Sequence, residues 1–169
     1  DRRAGTPLRL LPISVTELIH TAESRFRYAH KSHHLVVEIA PDLPILQADA
    51  VLLRRVLENL LDNARKYSEP GGTITVSAES RDGGVRLSVS DAGIGIDIAD
   101  QQRVFAPFFR SDRSRSRATG GVGLGLALAR RVVEAHDGTI ALTSELGRGT
   151  TVTMDLPSAQ VAALRHSSS

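Results

Sequence analysis

The stretch ENLLDNARKY, residues 58–67, sets two amides, Asn59 and Asn63, four positions apart among leucines. Apolar residues at 52, 53, 56, 57, 60 and 61 predict a helix running to about residue 67, with Asp49 as its cap. Positions i and i+4 share a helix face, so Asn59, Asn63 and Lys66 or Tyr67 form one polar ribbon. Val56, Leu57, Leu60 and Leu61 lie beside it as an apolar stripe. An unsatisfied buried amide costs roughly 1–3 kcal/mol, so the ribbon needs partners. Two amides by themselves read as caps on neighbouring backbone or as groups facing water. The alternative is that two amide oxygens and an ammonium face hydrated Mg²⁺ and phosphates, because Mg²⁺ takes few protein ligands.

Outward from this helix the chain alternates between two periods. Upstream, Ser14 and Glu17 form a capping-box pair, and Leu18, Ile19, Ala22 and Phe26 give a helical stripe. HLVVEIA, 34–40, is a β-branched run and predicts a strand. Downstream, TITVSAES and VRLSVSD flank the turn RDGG and predict a hairpin. LGLALARRVVEAH, 124–136, predicts a helix closed by Gly138, and TIALTSE and TTVTMDLP predict a second hairpin. Residues 1–13, with two prolines, read as a leader, and 158–169 as a frayed tail. Helices mixed with hairpins imply an α+β fold in two layers.

Composition sets outer bounds. The 169 residues suit one domain, and 41% hydrophobic with 24% charged residues is a globular balance. With 4% aromatics and no Trp, the core rests on Leu, Val, Ile and Ala. The absence of Cys excludes disulfides and thiolate metal sites. A net charge of +2 gives no case for nucleic acid, and no apolar run approaches the roughly 20 residues of a spanning helix.

Two further stretches carry glycines in suggestive places. In DAGIGID, 91–97, Asp91 ends a strand, and Gly93 and Gly95 follow. These glycines read as a turn needing positive φ, or as a place where the backbone approaches a flat ligand while Asp91 accepts from an amine. In GGVGLGLALARR, 120–131, glycines lead into a helix whose first N–H groups suit phosphate. No strand directly precedes it, so it is not a dinucleotide fingerprint, and no GK[ST] follows, so it is not a P-loop.

In this order and spacing the stretches resemble the catalytic and ATP-binding domain of bacterial sensor histidine kinases, within the superfamily of gyrase, Hsp90 and MutL. NLLDNARKY is similar to the N box, DAGIGID to the G1 box, FAPFFR to the F box and GGVGLGLALARRVVEAHDG to the G2 box. The resemblance covers about 14–157, with 1–13 as a linker from a missing dimerisation hairpin. It implies a Bergerat-type two-layer α/β sandwich, a mixed sheet of about five strands with three helices on one face. It implies ATP and Mg²⁺ as ligands, with Asn59 and Asn63 holding the metal. Lys66 would reach the phosphates, Tyr67 would line the nucleotide, and Asp91 would accept from the adenine amino group. Gly93 and Gly95 would let the backbone close on the base. Arg110 would neutralise the transferred γ-phosphate and, with Lys66, is the catalytic assignment. Gly121, Gly123, Leu124 and Gly125 would hinge a lid and cradle phosphate, and Thr150 would lie near the base. The loop 111–119, with Arg113, Arg115 and Arg117, reads as that lid or as a solvated basic loop.

Two departures refine the expectation. In the gyrase, Hsp90 and MutL branches the position of Asn59 resembles a water-activating Glu. Here Glu58 is adjacent but turned about 100° around the helix. The resemblance therefore implies slow hydrolysis. None of the six histidines sits in the family's H-E-x-x-x-P acceptor pattern. The implied reaction is transfer of the γ-phosphate to a histidine on a phosphoacceptor domain outside this chain, with a response regulator downstream. The implied setting is the cytoplasmic part of a membrane-anchored homodimer, with no direct membrane contact by this domain and a monomeric fragment. The alternatives are a serine kinase of the anti-sigma-factor type and a nucleotide-binding regulatory module without transfer activity.

Overall fold

The computed structural model describes residues 7–101, 103–105 and 126–167. Twelve elements follow in chain order: β1 Leu11–Ile13, α1 Val15–Ala29, β2 His34–Ile39, β3 Leu46–Ala48, α2 Ala50–Lys66, β4 Thr73–Arg81, β5 Gly84–Asp91, α3 Ile98–Gln101, α4 Leu126–Ala135, β6 Thr139–Glu145, β7 Gly149–Pro157 and α5 Ala159–Ser167. Five strands form a mixed sheet in the order β2-β4-β5-β7-β6. Only β2 and β4 run parallel, with α2 in the connection between them. The remaining pairs are antiparallel. This is the expected α+β sandwich.

The period-2 pattern of the strands decides which face is covered. Ile74, Val76, Ala78, Val85, Leu87, Val89, Met154 and Leu156 are buried, and α1, α2 and α4 are the layer that covers them. The alternate residues carry hydroxyls and pair across strands, with Ser88 and Thr153 Oγ atoms 3.2 Å apart and Ser90 and Thr151 2.7 Å apart. The β4–β5 turn places Asp82 and Gly83 at φ 51° and 79°, the paired left-handed conformation of a two-residue hairpin.

Asp49 fixes where α2 begins. Its carboxylate accepts from Leu52 N–H at 3.1 Å and from Arg9 N–H at 3.0 Å. Its own N–H donates to His136 Nε2 at 3.0 Å, while His136 Nδ1 lies 2.8 Å from the Val132 carbonyl. A carbonyl only accepts, so Nδ1 carries the proton and the buried imidazole is neutral. The bond from Arg9 holds the Asp49 carboxyl below the usual carboxylate range, against the upward push of burial.

Two elements differ from the sequence expectation. Leu11–Ile13, expected to be irregular because of the two prolines of the leader, pairs antiparallel with Leu46–Ala48. Pro12 is tolerated because this two-stranded ribbon leaves an open edge. The expected frayed tail forms α5, whose first turn is capped by Ser158 Oγ accepting from Val161 N–H at 3.1 Å.

Candidate nucleotide site

The polar ribbon of α2 meets the end of β5 at a cavity. Asn63 from α2, Tyr67 at its C-terminal cap, Asp91 from β5 and Thr150 from β7 are its polar lining among the described residues. Leu60, Ala64, Val89, Ile96, Leu126, Leu142 and Val152 make apolar walls. These walls are the inner ends of the same stripes that build the core, so the cavity is an extension of the core toward the surface.

Among the described residues that line this cavity, Asp91 is the charged one. Its Oδ1 accepts from Gly93 N–H at 2.8 Å. Burial pushes its pKa up, and the neighbouring backbone N–H groups of Gly93 and Thr150 oppose that push. A carboxylate offers about four lone-pair positions, so acceptor capacity remains after that bond.

The glycines after Asp91 are set by close backbone approach. A Cβ on Gly93 would lie 2.0 Å from the Tyr67 carbonyl oxygen. That oxygen accepts from Ile94 N–H at 3.0 Å, which docks the loop on the end of α2. Gly95 has φ +77°, and a Cβ there would lie 2.2 Å from the Glu145 oxygen.

Asn59 lies one turn before Asn63 on α2 and is half-buried, outside the cavity lining. Lys66 Nζ sits 3.1 Å from Asp62 Oδ2, one turn back on the same helix. Burial pushes the Asp62 carboxyl up, but bonds from Arg65 and Lys66 outweigh it and hold it below its ordinary value. Glu58 turns toward α1, with Oε2 3.6 Å from Arg25 Nε and 3.7 Å from Arg54 Nε. The remaining site expectations, Arg110, Gly121, Gly123, Leu124 and Gly125, lie outside the described residues, as do Arg113, Arg115 and Arg117.

Sequence reasoning missed a serine beneath the cavity. Ser144 Oγ donates to the Gly149 carbonyl at 3.0 Å, accepts from Ile96 N–H at 2.7 Å and lies 2.8 Å from Thr150 Oγ1. Gln101 Nε2 donates to the carbonyls of Ile96 at 2.6 Å and Ser144 at 2.9 Å. These bonds fasten the loop after Asp91 to β6. Ser144 sits in the alternating strand TIALTSE, where its inward position was legible but its partners were not.

Comparison with known proteins follows the same lines. Residues 48–160 match the model of the histidine kinase-, DNA gyrase B- and HSP90-like ATPase family. The chain is 41% identical over 148 residues to the sensor-like histidine kinase SenX3 of Mycobacterium tuberculosis, covering 86% of this chain and 36% of that protein. It is 39% identical over 163 residues to the adaptive-response sensory kinase SasA of Synechococcus elongatus, covering 92% of this chain and 41% of that protein. Thus it spans a third to two fifths of the length of these curated relatives. Among solved structures, full-length ShkA in complex with AMPPNP superposes with a TM-score of 0.77 at 31% identity, over 91% of this chain and 32% of that one. The mycobacterial sensor histidine kinase MprB superposes with a TM-score of 0.74 at 31% identity, over 88% of this chain and 97% of that one.

Proposed function

Since this chain belongs to the histidine kinase-, DNA gyrase B- and HSP90-like ATPase family, we propose that it binds Mg²⁺-ATP at the Asp91 cavity as the catalytic domain of a two-component sensor kinase. The reaction proposed is transfer of the γ-phosphate to a histidine on a dimerisation and phosphoacceptor domain outside this chain. A response regulator is the downstream partner. Residues 14–157 carry the nucleotide-binding unit, and 1–13 lead toward the acceptor domain. In the parent protein, a membrane-anchored homodimer, this unit faces the cytoplasm. No helix among the described residues is long and apolar enough to cross a membrane.

The observation that carries this reading is Asp91. A half-buried carboxylate among apolar walls, oriented by the Gly93 N–H, fits a flat apolar ligand with an exocyclic amine. ATP, when bound, supplies the phosphoryl group, and Mg²⁺ supplies charge that offsets its phosphates. Asp91 accepts from the base, and Tyr67 lines the nucleotide. Gly93 and Gly95 keep the backbone close beneath it. The amide oxygens of Asn59 and Asn63 suit a metal that keeps much of its water. Lys66 exchanges Asp62 for phosphate, and Arg110 stabilises charge during transfer. Gly121, Gly123, Leu124 and Gly125 serve the lid and phosphate cradle. Asn59 stands where a water-activating Glu would, and the adjacent Glu58 lies on the α1 side beside Arg25 and Arg54, so hydrolysis is slow.

The test is calorimetric titration of Mg²⁺ and ATP into wild type, Asp91→Ala and Asn63→Ala. Binding by wild type, none by Asp91→Ala, and loss of only the Mg²⁺-dependent part in Asn63→Ala is the expected pattern. Equal behaviour of all three would refute the residue assignment.

A further inference from the structure

Asp62 stands between two sides of α2. Successive helix residues turn by about 100°, so Arg65 lies about 60° to one side of it and Lys66 about 40° to the other. The Arg65 side is that of Glu58 and Leu61, where α2 meets α1. The Lys66 side is that of Asn59 and Asn63. Both carboxylate oxygens of Asp62 are engaged. Arg65 Nη2 donates to Oδ1 at 2.6 Å, and Lys66 Nζ sits 3.1 Å from Oδ2. Arg65 Nε, on the same guanidinium, is buried and has no hydrogen-bond partner. A guanidinium suits a carboxylate because two of its N–H groups meet both oxygens at once. The complete form occurs elsewhere in this protein: Arg86 donates from Nε and Nη2 to the two oxygens of Asp155, each at 2.7 Å. Arg65 and Asp62 make the same fork with one prong engaged, and Lys66 holds the oxygen that the second prong would take.

We propose that Asp62 and Arg65 are positioning residues that hold Lys66 and then release it to the nucleotide. When phosphate draws Lys66 Nζ away, Oδ2 of Asp62 is left open, and Arg65 Nε closes on it. The carboxylate exchanges one charged donor for another, and the unpaired N–H gains an acceptor. Without that reserve donor, Asp62 would hold Lys66 more tightly, because a part-buried carboxylate resists losing a partner it cannot replace. Arg65 thus acts on the phosphates through Asp62 and Lys66, from the far side of the helix. The inference rests on the nucleotide reading above and adds what makes its lysine available.

The test is Mg²⁺-ATP affinity by calorimetry on wild type, Arg65→Lys, Asp62→Asn and their double variant, and on Arg65→Lys in a Lys66→Met background. Arg65→Lys keeps the charge beside Asp62 and removes the fork. It should weaken ATP about three- to tenfold, the worth of one hydrogen bond to a partly exposed charge. Asp62→Asn loosens the hold on Lys66 and should tighten ATP about twofold, the worth of an i,i+4 ion pair. In the Asp62→Asn and Lys66→Met backgrounds, Arg65→Lys should change nothing further. An Arg65 effect that persists in either background would overturn the proposal, because Arg65 would then act on the helix itself and not through Lys66. Should Arg65→Lys fail to fold, Asp62→Asn decides: unchanged or weaker binding overturns the proposal. If wild type and Arg65→Lys bind ATP equally, this inference falls and the nucleotide reading stands. Failure of wild type to bind ATP would overturn both.

Discussion

Replacing Gly93 with alanine would place a methyl carbon 2.0 Å from the Tyr67 carbonyl oxygen, where ordinary contact begins at 3.4 Å. The two backbones would have to part by about 1.4 Å, the difference of those distances. One bond lies across that gap, and a second lies beside the added methyl, which would also come 2.9 Å from Asp91 Oδ1. Ile94 N–H donates to the Tyr67 oxygen at 3.0 Å, and Gly93 N–H donates to Asp91 Oδ1 at 2.8 Å. At about 1 kcal/mol net for each, the fold loses about 2 kcal/mol. For a domain of this size the melting temperature should fall by about 4–8 °C. The Asp91 carboxylate would move with the loop. Loss of one charged hydrogen bond to the base, about 1.5–3 kcal/mol, weakens ATP at least about tenfold. Thermal unfolding and calorimetry on the same preparation read both effects. Gly147→Asn is the control: it has positive φ, asparagine tolerates that conformation, and no atom lies within 4 Å of its Cβ position. A Gly93→Ala protein that melts within about 1 °C of wild type and binds ATP normally would refute the reasoning.

Two further outcomes can be measured on the fold itself. Asp49→Ala removes the cap of α2 and orphans the N–H groups of Leu52 and Arg9. Denaturant titration should show a loss of about 1–2 kcal/mol, with Asp49→Asn recovering part of it. Asp155 is held below its ordinary pKa by the two-pronged hydrogen bond from Arg86, against the effect of burial. A depressed folded pKa means its stabilisation is present above the unfolded value, about 3.9, and is lost as pH falls through the folded one. Melting temperature against pH should therefore drop less steeply on the acid side in Arg86→Met, and added salt should shrink the difference.

Much of this architecture could be read before any coordinates. The stripe of Leu53, Leu57, Leu60 and Leu61 on α2 and the alternation in β4, β5 and β7 are strong periodic signals, and each falls where expected. The ribbon β1–β3 was not legible. Three residues are too few to show alternation, Pro12 argues against a strand, and Leu11 finds Ala48 only through the tertiary fold. The helix α5 was hidden by a polar terminus, although Ser158 before an Ala-rich run is a cap signal. At the site, Asn63, Tyr67, Asp91 and Thr150 come together from three elements. Asn59 lies a turn away, and Lys66 is engaged by Asp62. Ser144 and Gln101 escaped notice because their importance lies in which backbone groups they meet, and those meetings are long-range.

The carboxylates that organise this protein are served by the main chain. Asp91 is held by the N–H group of Gly93, and Asp49 by those of Arg9 and Leu52. A peptide N–H is common to every residue but proline, so no side-chain change deletes these donors. Sequence drift at Arg9 or Leu52 leaves the hydrogen bonds in place so long as the chain follows the same path. The burden of heredity falls instead on the acceptors and on the few residues that define that path. Gly93 and Gly95 are such residues, since each lies too near another backbone to carry a side chain. Descendants of this sequence can therefore vary widely in their surface letters and still present the same backbone amides to the same carboxylates.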